Sequence, residues 1–319
     1  MGSYKVIERL KLWRSVFKRV HHQASFGCWT EVEAEMYKYK TLSGYKSGHG
    51  FYFSKIVVAM NVPEFLYKYM FINDKVLKID PSFYEKIFTE NQLYFPKVSE
   101  LNDPFDCLPA MLFNNCNDED LKRAFIGRVN IREGRRLSIS QLDRVLSSKQ
   151  MTIKDLFKYN YEHHVVDGFI EDRVFSCSED PKNILMWTHY ANNHKGFCLE
   201  FDLRDPKLQS TFLKVDYSHK RPQFTPLDFL KENFDTKFFV STKDHVWKHE
   251  CEWRIFGHQI KDTRIVFPPN SITGVILGKR IEKEDEDNIK SWVSKSKKNI
   301  AIKRVEFNKD DYGVRIRSN

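Results

Sequence analysis

The hydrophobic positions of this chain change period several times, and each change marks an element. Val6, Leu10, Trp13, Phe17 and Val20 recur at steps of three and four, with Lys5, Arg9, Lys11, Arg14, Lys18 and Arg19 between them. That spacing predicts a basic amphipathic helix. Gly44, Gly48 and Gly50 then break regular structure. From Pro63 the pattern turns to alternation, and 65–70 predicts a strand with Tyr67 and Tyr69 on one face and Leu66, Lys68 and Met70 on the other. A helix over about 81–91, a short strand at 92–96 and an Asn/Asp turn at 101–107 follow. In that turn Asp103 and Asp106 can either shape the backbone or orient a substrate. From 117 to about 168 the sequence becomes charged and helical, which predicts an insertion carried on the main sheet.

The stretch 174–202 reads as strand, helix, strand. Asp180-Pro181 stops the first strand, with Asp180 placed to cap the helix and Pro181 suited to its first position. Met186, Trp187 and Tyr190 share a bulky helical face, and Phe197, Leu199 and Phe201 alternate as the core face of the next strand. Ser176, Ser178, His189, Tyr190, His194 and Lys195 crowd the junctions, more reactive groups than a plain core segment requires. Further on, 212–217 predicts a strand, 226–234 a helix, and the last part of 248–256, from Glu250, a strand. Its alternation puts Glu250, Glu252 and Arg254 on one face and Cys251, Trp253 and Ile255 on the other. An apolar strand at 272–277, a charged helix at 282–296 and a strand at 300–307 close the domain.

These elements predict an α+β fold with a split, mostly antiparallel sheet, a helical insertion and an N-terminal helical extension. The expected divisions are an extension at 1–62, a catalytic-like domain at 63–308 with its insertion at about 117–170, and a polar tail at 309–319.

Composition adds a partner class. The 319 residues carry a formal charge of +9, which favours an anionic partner such as nucleic acid, a phosphate-bearing cofactor or an acidic protein. Arg128, Arg132, Arg135 and Arg136 fall on or near one helical face and form a candidate nucleic-acid-binding stripe; a solvated face is the alternative. No apolar run reaches the roughly 18 residues of a membrane-spanning helix, and charges interrupt the N-terminal apolar runs, so no secretory signal is expected. The six cysteines are widely spaced without a Cys-x-x-Cys pair, pointing to reduced thiols and a cytoplasmic setting.

The sharpest chemical signal is Glu250-x-Glu252. Neighbouring same-face carboxylates perturb one another, so one can hold a proton while the other acts as a base or stabilises a cation. Either can instead pair with Arg254 and do nothing more. His245 and His249 beside Glu250 do not match the His-Glu-x-x-His order of zinc proteases, and no metal site is expected. Glycine-rich phosphate cradles and a Gly-x-Ser-x-Gly elbow are absent from the sequence.

Tyr67-Lys68-Tyr69, Asn102-Asp103-Pro104-Phe105-Asp106, Phe175-Ser176, the run from Leu185 to Ala191 with His194-Lys195-Gly196, and Trp247 with Glu250-x-Glu252-Trp253-Arg254 together resemble the domain-of-unknown-function family 2971. The resemblance covers about 63–307. That family's layout is in turn similar, more weakly, to ADP-ribosyltransferases. This second resemblance implies NAD-dependent ADP-ribosyl transfer, in a bacterial toxin or phage-defence setting, onto nucleic acid or protein. Carried over by position, Tyr67 or Lys68 would contact NAD, Lys68 standing where the pattern has His or Arg. Ser176 and Tyr190 would cradle the nicotinamide side, with Trp187, His189 and Arg254 completing the NAD-binding set. Glu252, or Glu250, would stabilise the ribosyl cation. Two readings come from other classes: a nucleic-acid-binding or nuclease-type effector working without NAD, and a non-catalytic interaction domain.

Overall fold

The structure, a computed structural model, describes residues 62–72, 82–133, 136–166, 170–229, 237–257, 260 and 262–318. The basic helix expected at 6–20, and Arg135, lie outside them. In chain order the labelled elements are β1 (Phe65–Met70), α1 (Ser82–Glu90), β2 (Gln92–Tyr94), β3 (Ala110–Met111), α2 (Asp118–Glu133), α3 (Ile139–Ser148) and α4 (Ile153–Asn160). Next come β4 (Arg173–Ser178), α5 (Ile184–His189), β5 (Phe197–Asp202), β6 (Leu213–Lys214), β7 (Asp216–Ser218), β8 (Gln223–Phe224) and β9 (Thr242–Asp244). β10 (Glu252–Gly257), β11 (Arg264–Val266), β12 (Ile272–Leu277), α6 (Lys283–Ser296), β13 (Ala301–Phe307) and β14 (Val314–Ser318) complete the set.

Eight strands form one sheet in the order β14-β13-β12-β5-β1-β4-β10-β6. Every neighbouring pair in it is antiparallel except β12 with β13, so the fold is α+β with a mostly antiparallel sheet. β5 and β12 are largely apolar because both of their faces are covered. On β5, every residue from Phe197 to Phe201 is buried.

One face packs on α1 and α6. Leu66, Phe175, Leu199, Trp253 and Val275 meet Ile87, Phe88, Ile289 and Trp292 there, and Trp292 lies within 6.0–6.2 Å of the Tyr84 and Phe88 rings. The other face carries two separate apolar clusters. The inserted helices build one through Leu121, Phe125, Leu142, Phe157, Val174 and Phe256. Helix α5 builds the second, packing Met186 and Trp187 on Tyr69, Cys198 and Ile276. β4 and β10 carry polar residues as well as these apolar ones, and the candidate site forms there.

Several expectations are adjusted by local chemistry. Asn183, not Asp180, caps α5: its Oδ1 accepts from the Leu185 and Met186 amides at 2.9 and 3.2 Å, while Asp180 accepts from Lys182 in the preceding turn. The strand expected over 212–217 is two short strands, with β6 on the main sheet and β7 paired with β9. The strand expected to begin near Glu250 begins at Glu252. His245–Glu250 forms a 3-10 helix instead, capped by Asp244, and Cys251 takes a left-handed conformation with φ of 45° that ends the turn. Finally, part of the segment read as a polar tail pairs with β13 as β14.

Candidate functional site

Cross-strand register sets one wall of the site. Directly opposed residues share a face of a sheet. Glu200 opposes Tyr67, Tyr67 opposes Ser178, and Ser178 opposes Glu252, so a polar row crosses β5, β1, β4 and β10. Gly274 opposes Glu200 at the β12 end of the row. Its missing side chain makes room: a Cβ there would lie 2.9 Å from Glu200 Oε1. Glu200 is bound by Lys303 at 2.6 Å.

At the other end, β10 and its approach assemble a buried ion network of three carboxylates and two cations: Asp106, Glu250, Glu252, Lys243 and Arg254. Arg254 is fully buried. Its guanidinium grips Glu252 through Nε at 3.0 Å and Nη2 at 2.7 Å, and grips Asp106 through Nη1 at 2.9 Å and Nη2 at 3.2 Å. Nη1 also donates to Val240 O and Cys107 Sγ. This two-sided fork is the geometry for which arginine's planar donors suit buried carboxylates. Lys243 Nζ lies 2.5 Å from Glu250 and 3.2 Å from Glu252. Tyr190 donates its hydroxyl to Glu250 Oε1 at 2.5 Å and accepts from Asn102 Nδ2 at 3.0 Å.

The two glutamates are driven apart in proton affinity. Burial alone would raise the Glu252 carboxyl, but Arg254 and Lys243, with hydrogen bonds from Arg254 and Ser176, hold it well below the usual carboxylate range. Glu250 is raised: burial outweighs the attraction of Lys243, and the Glu252 charge adds to the burial term. Burial opposes the charge on Lys243 too, yet the three carboxylates raise it above an ordinary lysine. Burial raises Tyr190, and the Glu250 charge raises it further, so the phenol keeps its proton and donates it. Glu252 is therefore a saturated anion inside the fold, and Glu250 is the protonatable carboxyl at the Tyr190 end.

The structure thus brings together Glu250, Glu252, Arg254 and Tyr190, with Ser176 opposite Arg254 on β4. Tyr67 shares their sheet face, and burial followed by the Glu200 charge pushes its phenol up to about 12. Lys68 opposes Leu199 on the other face. Its ammonium donates to Ser176 O at 2.9 Å and lies 4.8 Å from the Phe175 ring centre. The Trp187 expectation is corrected: the ring is fully buried against Tyr69 and His194, and its Nε1 donates to Pro181 O, which leaves it no role in stacking a ligand. Arg254 is likewise spent on internal carboxylates rather than free for NAD. His189 is exposed beside Tyr190. Arg128 and Arg132 lie on α2 and Arg136 is exposed just beyond it. Among the described residues no group of three or more His, Cys, Asp or Glu is placed to hold a metal ion.

Sequence reasoning did not find Lys243, and it left Asp106 undecided between turn and site. No spacing ties Lys243 to the glutamates, because only the 3-10 turn folds it back on them. Asp106 sits 148 residues from Arg254, and its only signal was membership of the Asn102–Asp106 motif. Tyr217 was missed as well; its hydroxyl accepts from the Glu252 amide at 2.8 Å.

Fold and site define an α+β domain whose sheet carries a buried carboxylate–cation network on one face. Within it, residues 186–255 match the model of a family described as "Protein of unknown function (DUF2971)". That stretch holds Tyr190, Lys243, Glu250, Glu252 and Arg254. No curated protein and no solved structure matches the chain. No helix among the described residues is long and apolar enough to cross a membrane.

Proposed function

We propose that the chain transfers ADP-ribose from NAD, with Glu250 rather than Glu252 as the carboxylate that meets the ribosyl cation. The observation that carries this reading is the Tyr190–Glu250 hydrogen bond at the end of an otherwise saturated network. Breaking the nicotinamide–ribose bond sends the bonding electrons to nicotinamide and leaves positive charge on the ribose. A positioned carboxylate stabilises that charge selectively in the transition state. Its raised proton affinity also suits Glu250 to take the proton of the acceptor nucleophile as the new ribose bond forms. Nucleic acid is the acceptor class that the +9 charge favours, with protein as the other. The five described cysteines are free, in keeping with a cytoplasmic setting.

A second reading has its own observation. Glu252 and Arg254 find all their partners within the fold, as in a structural core, which favours a nucleic-acid-binding or interaction domain without chemistry. Incubating the full chain with labelled NAD separates the two. Nicotinamide release or label transfer, lost in Glu250→Gln, supports the first. Salt-sensitive RNA or DNA binding with NAD left intact supports the second.

A further inference from the structure

The turn at 102–107 holds its shape through its own bonds. Asp103 O accepts from the Asp106 amide at 3.2 Å, which closes a four-residue turn with Pro104 in its second position. The Asp103 carboxylate accepts from the Phe105 amide at 2.9 Å, and Cys107 leaves the turn in a left-handed conformation with φ of 59°. Asp103 and Asp106 are buried, whereas Asn102 is exposed. Asp106 commits its carboxylate to Arg254 and Lys243, on the Glu252 side of the ion network. Asn102, at the start of the turn, reaches the Glu250 side, where its Nδ2 lies 3.0 Å from the Tyr190 hydroxyl.

The hydrogens at this junction have one consistent placement. A phenol has one hydrogen to give and lone pairs with which to accept. Glu250 Oε1 lies 2.5 Å from the Tyr190 oxygen, a separation typical of a hydroxyl donating to a charged carboxylate. The phenol hydrogen is thereby used, so the Asn102 amide must turn its NH2 rather than its oxygen toward Tyr190. Two acceptors there would compete for one hydrogen. The same logic bears on Glu250. If Oε1 carried a proton and donated it, the Tyr190 oxygen would accept from both Glu250 and Asn102, and its own hydrogen would have neither group left to meet. Lys243 of β9, Glu252 of β10 and Tyr190 beyond α5 also face Glu250, and Tyr217 of β7 and Lys68 of β1 feel its charge. Of these, Tyr190 is the one that Asn102 binds.

We infer that Asn102 is a positioning residue: by donating to the phenol it holds the Tyr190 hydrogen on Glu250, so that this carboxylate meets Tyr190 as an acceptor. One rigid turn then sets both members of the Glu250-x-Glu252 pair, with Asp106 holding Arg254 and Lys243 while Asn102 aims Tyr190. An exposed amide bond of this kind competes with water and adds little to stability, so its effect is one of direction. A carboxylate kept charged and fixed in orientation is what a developing cation, or the proton of a nucleophile, requires. That consequence for turnover rests on the transferase reading; the effect of Asn102 on Glu250 does not.

The test titrates the Glu250 carboxyl carbon by NMR in the full chain, labelled with ¹³C in glutamate, the signal being assigned by its loss in Glu250→Gln. Asn102→Ala removes the donor. Asn102→Asp replaces it with an acceptor of the same shape that competes with Glu250 for the phenol hydrogen. The Glu250 midpoint is expected to rise by about half a pH unit in Asn102→Ala, part of what one hydrogen bond is worth, and further in Asn102→Asp. Repeating both substitutions on Tyr190→Phe separates hydrogen direction from charge. Without the hydroxyl, the Asn102→Ala rise should vanish and the Asn102→Asp rise should shrink to the part carried by the new charge. An unmoved midpoint in both single variants, or equal rises with and without the hydroxyl, overturns the assignment. Turnover of labelled NAD is followed across pH in the same variants, and the limb that reports Glu250 should move with its midpoint. A limb that stays in place while the midpoint moves overturns the part of Asn102 in turnover. NAD left intact by the wild type overturns the transferase reading instead, and the titration still decides the role of Asn102.

Discussion

The Tyr190 hydroxyl donates to Glu250 Oε1 across 60 residues of sequence, and this one bond joins helix α5 to the ion network beneath β10. It divides the two glutamates by role. Glu252 faces inward to Arg254 and Lys243, whereas Glu250 is shared between Lys243 and a half-buried phenol.

Glutamine at the two positions should therefore differ in turnover, although each breaks a buried ion pair. Glu252→Gln takes a charge from a fully buried arginine, and breaking a buried pair costs roughly 3–5 kcal/mol. Urea unfolding should show that loss. Glu250→Gln breaks a buried pair with Lys243 and should lose stability too, and it alone should lose NAD turnover while Lys243 keeps Glu252 at 3.2 Å and Asp106 at 3.5 Å. Turnover kept in Glu250→Gln and lost in a folded Glu252→Gln would reverse the assignment.

Tyr190→Phe removes one hydrogen bond that favours ionised Glu250. The Glu250 carboxyl should then rise further, seen as a later titration of its carboxyl carbon by NMR. Stability should fall by only about 1 kcal/mol, the net worth of an ordinary hydrogen bond. An unmoved Glu250 titration would mean that the phenol does not govern that carboxyl.

Acid should unfold the domain in a way the variants dissect. Arg254 and Lys243 outweigh burial at Glu252, so its folded-state value is depressed. It therefore contributes stability above the ordinary glutamate value of about 4.3, and that contribution is lost as pH falls. Glu286, held to about 2 by Arg304 and Lys290, acts in the same sense. Glu250 is raised and acts in the opposite sense: its contribution is present at low pH and lost as pH rises through its folded value. Stability measured from pH 7 down to pH 3 should fall less steeply in Glu252→Gln than in the wild type, and more steeply in Glu250→Gln. Parallel slopes in all three would refute the pairing.

Gly274→Ala tests the far end of the polar row. The new Cβ would press on Glu200 Oε1 at 2.9 Å and on its Cβ at 3.3 Å, displacing the carboxylate from Lys303. Overpacking of this kind typically costs about 1–3 kcal/mol, read as a lowered thermal midpoint. An unchanged midpoint would show that Glu200 has room to move.

What local pattern could say, it said correctly for long elements. Alternation located β1 and β5, a short β-type run β4, an apolar run β12 and a charged run the inserted helices, because burial on one face or both leaves a mark on the residues themselves. Boundaries set by a single bond were harder to place. Asp180 and Asn183 are both good caps, and which of them closes α5 depends on where the turn after β4 lets the helix begin.

The sequence by itself determined the α+β alternation, the match at 186–255 and the chemical character of Glu250-x-Glu252-Trp253-Arg254. Only the tertiary structure decided how those charges are spent. Strand alternation would have placed both glutamates alike on one face, but the left-handed turn at Cys251 takes Glu250 off the strand and carries it to Lys243 and Tyr190. Asp106 reaches Arg254 through the packing of a distant turn. Proton affinity depends on burial and on charges a few ångströms away, and neither distance is a property of sequence spacing. The same is true of Asn102: in the sequence it is the first residue of a turn, and in the fold its amide meets a phenol 88 residues away.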